Sequence, residues 1–420
     1  VADLVFAFDP AVDRPLAVPE DAPPTVAETI ATAGMESFRA AVHAARTSQA
    51  AALVLCGRVL DPTRASPAQA AVVRECIVSL ADTGCRTVLV ADTTAACHDF
   101  ARLLGEPAGL GFVTPLAPLT LDVRGLPVEF VSAHGPLPPP ESTSFADTTP
   151  LHRRVVIGWD ASHWHGARWD EPGRDRGDSL HAMTAAGFAA AAEASSAWSH
   201  PSCFWIWGSR GTGRLPHGIH HLHPLQARGP HESAAGCCCL LTLLDRDRSP
   251  TEGLPAATRV DWRGSWTELA THRVCWRTLA VESTTGGDEE LATAIWAALE
   301  ALPAQADGPL EIVRVAVACG TSVPRRVRVA EIAAETLARV RQLFDARSFR
   351  IWCRELYADH AESLAPLGHA RSGGRPGTTT SFASALADIV TAIEQTPGHA
   401  IPADLAREAG WLALELIEST

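Results

Sequence analysis

Two apolar runs end on loops that carry charge: LVFAFD closes at Asp9, and LVLCGRVLD carries Arg58 and closes at Asp61. Carboxylates on loops at strand ends are the groups that hold metal ions or face a ligand in layered α/β proteins. Imidazoles form a second group, with His217, His220, His221, His223 and His231 inside fifteen residues. Histidines three or four apart on a helix share a metal, but Pro216, Gly218 and Pro224 break any helix here and no paired carboxylate lies nearby. The ordinary reading is a solvated loop. In SHWHGARW, His163 and His165 lie among Trp159, Trp164 and Trp169 beside Arg168. Such residues stack on nucleic-acid bases, and a half-buried aromatic edge is the plainer explanation. Eleven cysteines without a CxxC pair argue against a disulfide framework and against ribbon-type zinc sites. Cys237, Cys238 and Cys239 lead into LLTLLD as a buried strand of reduced thiols.

These residues need elements to position them. LVFAFD reads as a buried strand, and Thr25 to about Arg46 as a helix, with Met35, Phe38 and Val42 at three- and four-residue spacing. AALVLCGRVLD follows as a second strand and loop. SPAQAAVVRECIVSLADTG is a second helix ending at Gly84, with Ser66 as N-cap and Pro67 at the first helical position. RTVLVAD is a third strand. The order predicts a βαβαβ layered unit with ligand-facing loops at the strand C-termini. Shorter strand-like runs follow: LTLDV, LPVEFVSAHG, RRVVIGWD, FWIWG and CCCLLTLLD, with a Pro- and Ser-rich connection over 135–150. Two packed sheets inside layers of helices are expected over residues 1–254. Residues 255–362 read as a separate α+β domain of β, α, β, α, β order. A Gly-rich linker is contained in 363–380 and a helical tail in 381–420.

Composition narrows the function classes. A chain of 420 residues with 46% hydrophobic content buries a full core. No apolar stretch reaches the length of a membrane span and no leader-like segment opens the sequence, so the expectation is a cytoplasmic protein. The formal charge of -13 disfavours a broad basic footprint for nucleic acid. The chain has no Lys and no Asn, so all 35 basic residues are Arg, and any motif that requires Asn is absent.

With the elements in this order, four segments resemble landmarks of the SbcD-like family of calcineurin-type metallophosphoesterases, especially its YhaO-like branch. FDPAVDRPL (8–16) resembles the first-strand Asp-x-His motif with its following Leu-Asp and Pro-Leu, and LVLCGRVLDP (53–62) the Gly-Asp-x-x-Asp strand end. FWIWG, ending at Gly208, resembles the strand before a Gly-His-x-His loop. PLQARGPHESAAGCCCLL resembles the PG-x-x-QGR stretch with its Glu and closing Gly-Cys strand. The similarity spans nearly the whole chain. It implies a two-sheet sandwich flanked by helices, a small α+β capping domain and a helical tail.

The resemblance also implies two Mn ions, which hydrolyse phosphodiesters by orienting a water and neutralising phosphoryl charge. The residues for that centre are missing. Asp9 remains, but Ala11 stands where the family has a His, and Arg58 where it has the bridging Asp. A guanidinium stays charged at physiological pH and repels cations. Where the family has Gly-Asn-His-Asp, the chain reads Ala91, Asp92, Thr93, Thr94; His98-Asp99 follows four residues later and imitates the pair from the next helix. Asp160 or Ala161 takes the place of a further His, and Ser209, Arg210, Gly211 replace His-x-His.

The sequence therefore reads as a nuclease-like protein without catalytic residues or cofactor, with Arg58 paired to Asp9 or Asp61 in the vacated site. The resemblance implies an SbcC-like SMC-type ATPase as partner. The tail would grip it through Phe382, Leu386, Ile389, Val390 and Ile393, a stripe that otherwise packs on its own domain. DNA contact through the Arg-rich PRRVRVAE, a homodimer, and a divergent metal-dependent phosphoesterase or exonuclease using the 217–223 histidines are the other expectations.

Overall fold

The computed structural model describes residues 2–133, 153–159, 203–209, 219–229, 236–243, 264–283, 288–302, 308–319, 337–338, 341–342 and 351–359. The chain divides into two compact units, Val1–Trp276 with Gly308–Leu310, and Arg277–Asp307 with Glu311–Thr420. Among the described residues, no helix is long and apolar enough to cross a membrane.

The first unit opens with strand β1 (Leu4–Phe8), helix α1 (Pro24–Thr47), β2 (Ala52–Cys56), α2 (Pro67–Asp82), β3 (Arg86–Val90), α3 (Thr94–Leu104) and β4 (Leu110–Val113). The βαβαβ order expected from the apolar spacing is present. Pro24 starts α1 at a position where its missing N–H costs nothing. Ser66 caps α2 in a reciprocal pair with Gln69. β1 to β4 run parallel in one sheet, which β10 (Cys237–Leu243) and β11 (Gly264–Ala270) extend antiparallel beyond β1, in the order β11-β10-β1-β2-β3-β4. Alternate residues point to opposite faces. Val5, Leu53 and Leu55 meet the helices, with Phe38, Val73, Ile77 and Phe100 in the same cluster.

Leu4, Phe6, Phe8, Val54 and Val88 point the other way, onto a second sheet. That sheet has the order β5-β6-β7-β8-β9, from β5 (Leu119–Val123), β6 (Leu126–Ser132), β7 (Arg153–Trp159), β8 (Cys203–Gly208) and β9 (Ile219–Leu222). Its β6 to β9 are mutually parallel. Val128, Phe130, Val155, Ile157 and Ile206 complete the core between the sheets. The expected pair of packed sheets is observed, while the described helices of this unit lie against one sheet where layers of helices around both were expected. Gln226, fully buried, ties its loop to the chain beyond β11 by donating to the Val274 carbonyl (2.7 Å) and accepting from the Arg273 N–H (2.8 Å).

The second unit contains a three-stranded sheet, β12-β13-β14 (Val274–Ser283, Leu310–Cys319, Ile351–Asp359), and helix α4 (Asp288–Glu300). Ile295, Leu299, Val313, Val315, Val317 and Ile351 form its core. The boundary expected near Pro255 is corrected to Trp276–Arg277. GSWTELA pairs along its whole length with β10, so this strand belongs to the sandwich. The core face of β13 carries Val313, Val315 and Val317, whereas Ile312 is buried outside that cluster; the pairing with β14 shifts register at Val313/Arg314. Of the helix expected after β13, Leu337 packs against this core. The linker, the tail and PRRVRVAE lie outside the described residues.

Candidate functional site

Because β1 to β4 and β6 to β9 are parallel within their sheets, the loops that could meet a ligand follow their C-terminal ends. Phe8 joins the two sheets at that edge. It bridges in parallel to Pro224 just past β9, and its carbonyl accepts from the Leu225 N–H (3.0 Å). Gly208 must be glycine, since a Cβ there would lie 2.6 Å from the Phe8 ring. The end of β8 is thereby pressed against the end of β1.

Asp9 follows directly and is buried, with φ of 45°, and Ala11 has φ of 38°. Such left-handed values in non-glycine residues cost about 1–3 kcal/mol each and persist only where neighbours enforce them. The neighbours are visible. Asp9 and Ala11 donate their N–H groups to the Cys56 and Arg58 carbonyls, both at 2.9 Å. The Arg228 guanidinium donates to the Ala11 and Arg14 carbonyls, both at 2.8 Å. Gly57, with φ of 78°, supplies the turn that sets Arg58 on the loop after β2.

Charge gathers around this loop pair. Asp13 is buried, and burial pushes its carboxyl above the ordinary range, against the pull of the Arg58 charge. Asp61 is held below its usual value despite partial burial, because the Thr63 hydroxyl (2.6 Å) and N–H (3.0 Å) donate to it and Arg58 and Arg14 add positive charge. Arg14 is pushed down by burial and then by the charges of Arg58, Arg64 and Arg228. Four guanidinium groups thus share one neighbourhood. Of the expected Arg58 partners, Asp61 lies within its electrostatic reach, and Asp13 joins it as one that the sequence reading had not assigned.

The other motif positions do different work. Thr93 caps α3, accepting from the Ala96 N–H (3.1 Å), and Thr94 is the first residue of that helix. His98 and Asp99 sit on α3 as expected, with Asp99 paired to Arg102 at 2.9 Å. A cavity of about 250 Å³ opens between the ends of β2, β3 and β7, lined by Arg58, Asp61, Asp92, Asp99, Phe100 and Trp159. Ser209 meets His221, Oγ to Nε2 at 2.7 Å. Asp160, Ala161, Gly211, His217, His231 and the SHWH histidines lie outside the described residues.

The remaining histidines of the 217–223 run lie in and just after β9, where alternation separates neighbours. His220 stacks on Phe204, with ring centroids 4.3 Å apart, and lies 4.9 Å from the Trp266 ring. His221 turns to Ser209, and its ring centroid is 4.1 Å from that of His223. Burial pushes all three imidazoles down, His221 to about 4, with the His223 charge as its second cause. The three therefore share no single ligand face.

Beside His223 lies a group that the sequence had offered only as buried thiols. Cys237 and Cys239 are two apart on β10 and share the sandwich-facing side, and Glu268 of β11 is directly opposite Cys239. Their sulfur and carboxylate atoms all lie within 4.8 Å of one another. The Cys239 thiol hydrogen-bonds the Cys237 sulfur, which holds Cys237 low and drives Cys239 high. The sequence signal was the Cys-x-Cys alternation within a strand. Glu268, twenty-nine residues further on, becomes its neighbour only through strand register.

No family model matches the chain, and no curated protein matches it at a significant level.

Proposed function

We propose that this chain is a nuclease-like protein of the SbcD type, built on the metallophosphoesterase fold, in which Arg58 stands in the place of the two-metal centre's bridging carboxylate. On this reading it acts without hydrolysis, as a scaffold or DNA-end-binding partner of an SbcC-like ATPase. The observation that carries the reading is Arg58 on the loop after β2, in the electrostatic company of Arg14, Arg64 and Arg228. A dication about 4 Å from one guanidinium is repelled by roughly 8 kcal/mol at an effective dielectric constant of 20, twice the unit-charge value. The same arrangement favours phosphate oxygens, which accept from guanidinium groups in paired geometry. The net charge of -13 confines such contact to a local patch.

Binding of a blunt DNA duplex, measured against salt concentration, tests this. Each phosphate neutralised contributes a slope of about 0.9 in log K against log salt. Arg58→Ala is expected to weaken binding to all sequences alike and lower that slope by about one. An unchanged slope would remove the strand-end site from DNA contact.

A further inference from the structure

A second site lies on the other side of β1 from Arg58, and it does not depend on the nuclease reading. β10 pairs with β1 on one side and β11 on the other, so Cys237 and Cys239 face the sandwich interior beside its open edge. Cys237 and Cys239 are buried, while Glu268 is exposed. The sulfurs are therefore sheltered and the carboxylate gives a route in from solvent. His223, on the loop after β9, lies beside this group, although its ring nitrogens do not come within 4.8 Å of all three donors. Its ring lies within reach of the Glu268 charge, and its Nδ1 is buried without a hydrogen-bond partner among the described residues. The Cys237 N–H donates to the Pro224 carbonyl (3.3 Å), which fixes that loop against β10.

Three donor atoms within 4.8 Å of one another are close enough for small side-chain movements to bring them onto one ion. Zinc–sulfur bonds of about 2.3 Å and zinc–oxygen bonds of about 2.0–2.2 Å place the ligand atoms of one ion roughly 3.5–3.8 Å apart. Thiolate pairs select soft or borderline cations over Mg, Ca or Mn, and a mixed set of two sulfurs, an imidazole and a carboxylate suits zinc. We propose that Cys237, Cys239 and Glu268, with His223 turning in from the loop after β9 as the fourth ligand, form a mononuclear site for a zinc-type transition-metal dication. Both thiols release their protons to solvent as the metal binds, leaving two thiolates, one carboxylate and a neutral imidazole around it. The bound ion fastens the β10-β11 edge of one sheet to the loop after β9 of the other. The ion is a staple of the fold at a place where both sheets end.

Cobalt(II) added to the reduced full-length chain tests the site, because thiolate ligation produces sulfur-to-cobalt charge-transfer absorption that oxygen and nitrogen ligands do not. The expected result is saturation of that absorption at about one equivalent, reversed by added zinc. Cys237→Ser and Cys239→Ser should each diminish the band. Glu268→Gln, at an exposed position, should keep it while weakening affinity about tenfold or more. X-ray absorption of the zinc-loaded wild-type chain needs no variant and should show two sulfurs in the first shell. Absence of the charge-transfer band, its persistence in both cysteine variants, or a zinc shell of only nitrogen and oxygen would overturn the proposal. Manganese at the strand-end loops produces none of these sulfur signals, so failure here and failure of the nuclease-like reading are separate results.

Discussion

His221 faces the Ser209 hydroxyl across 2.7 Å, and burial followed by the neighbouring His223 pushes its pKa down to about 4. In the unfolded chain a histidine titrates near 6.5. Between about 6.5 and 4 the unfolded state therefore binds the extra proton, and stability falls as pH is lowered through that window. Urea midpoints measured from pH 7 to pH 4.5 should drop, and His221→Gln should flatten that part of the decline. An unaltered profile in the variant would place the acid sensitivity elsewhere. At this scale the sequence was most legible where a residue type excludes chemistry: Arg58 cannot serve as a bridging anion wherever it points. It was least legible where partners come from distant segments. Asp13, Arg14 and Arg228 join Arg58 only through folding, because Arg228 reaches back to the Ala11 and Arg14 carbonyls from more than two hundred residues away.

The elements that position the site were largely readable, since α1, α2 and the first three strands announce themselves by period, caps and glycine. Ser66 and Pro67 open α2 as their order implies, and Gln69 completes the cap in the folded chain. The strand GSWTELA was not readable as part of the sandwich. Its alternation is that of any edge strand, and the pairing that assigns it to β10 is long-range. The Cys237–Glu268 neighbourhood depends on that same register. Contact between the sheets at the site depends on Gly208. Gly208→Ala would place a methyl 2.6 Å from the Phe8 ring and is expected to destabilise the first unit by about 1–3 kcal/mol. Phe8→Leu in the same chain should recover part of that loss, read as a positive coupling in a double-mutant cycle. Additive losses would show that the ring and the glycine are not the close contact described here.

On the scale of the whole molecule, the first unit holds a layered α/β sandwich with helices on one face, and the second a smaller α/β unit with its own core. The parallel strands bring Asp9, Arg58 and the caps of α3 to loops at strand C-termini, the place where such sheets carry function. An acidic chain whose basic residues are all Arg concentrates four of them around those loops. As proposed above, this site would hold phosphate without breaking it. A single-turnover assay of the full chain on end-labelled duplex DNA in excess manganese measures this. No nucleotide release above a protein-free control is expected, because Ala11, Arg58, Thr93, Thr94 and Ser209 supply neither the bridging carboxylate nor the imidazoles that two-metal hydrolysis requires. Manganese-dependent release that is abolished by Asp9→Ala would contradict it.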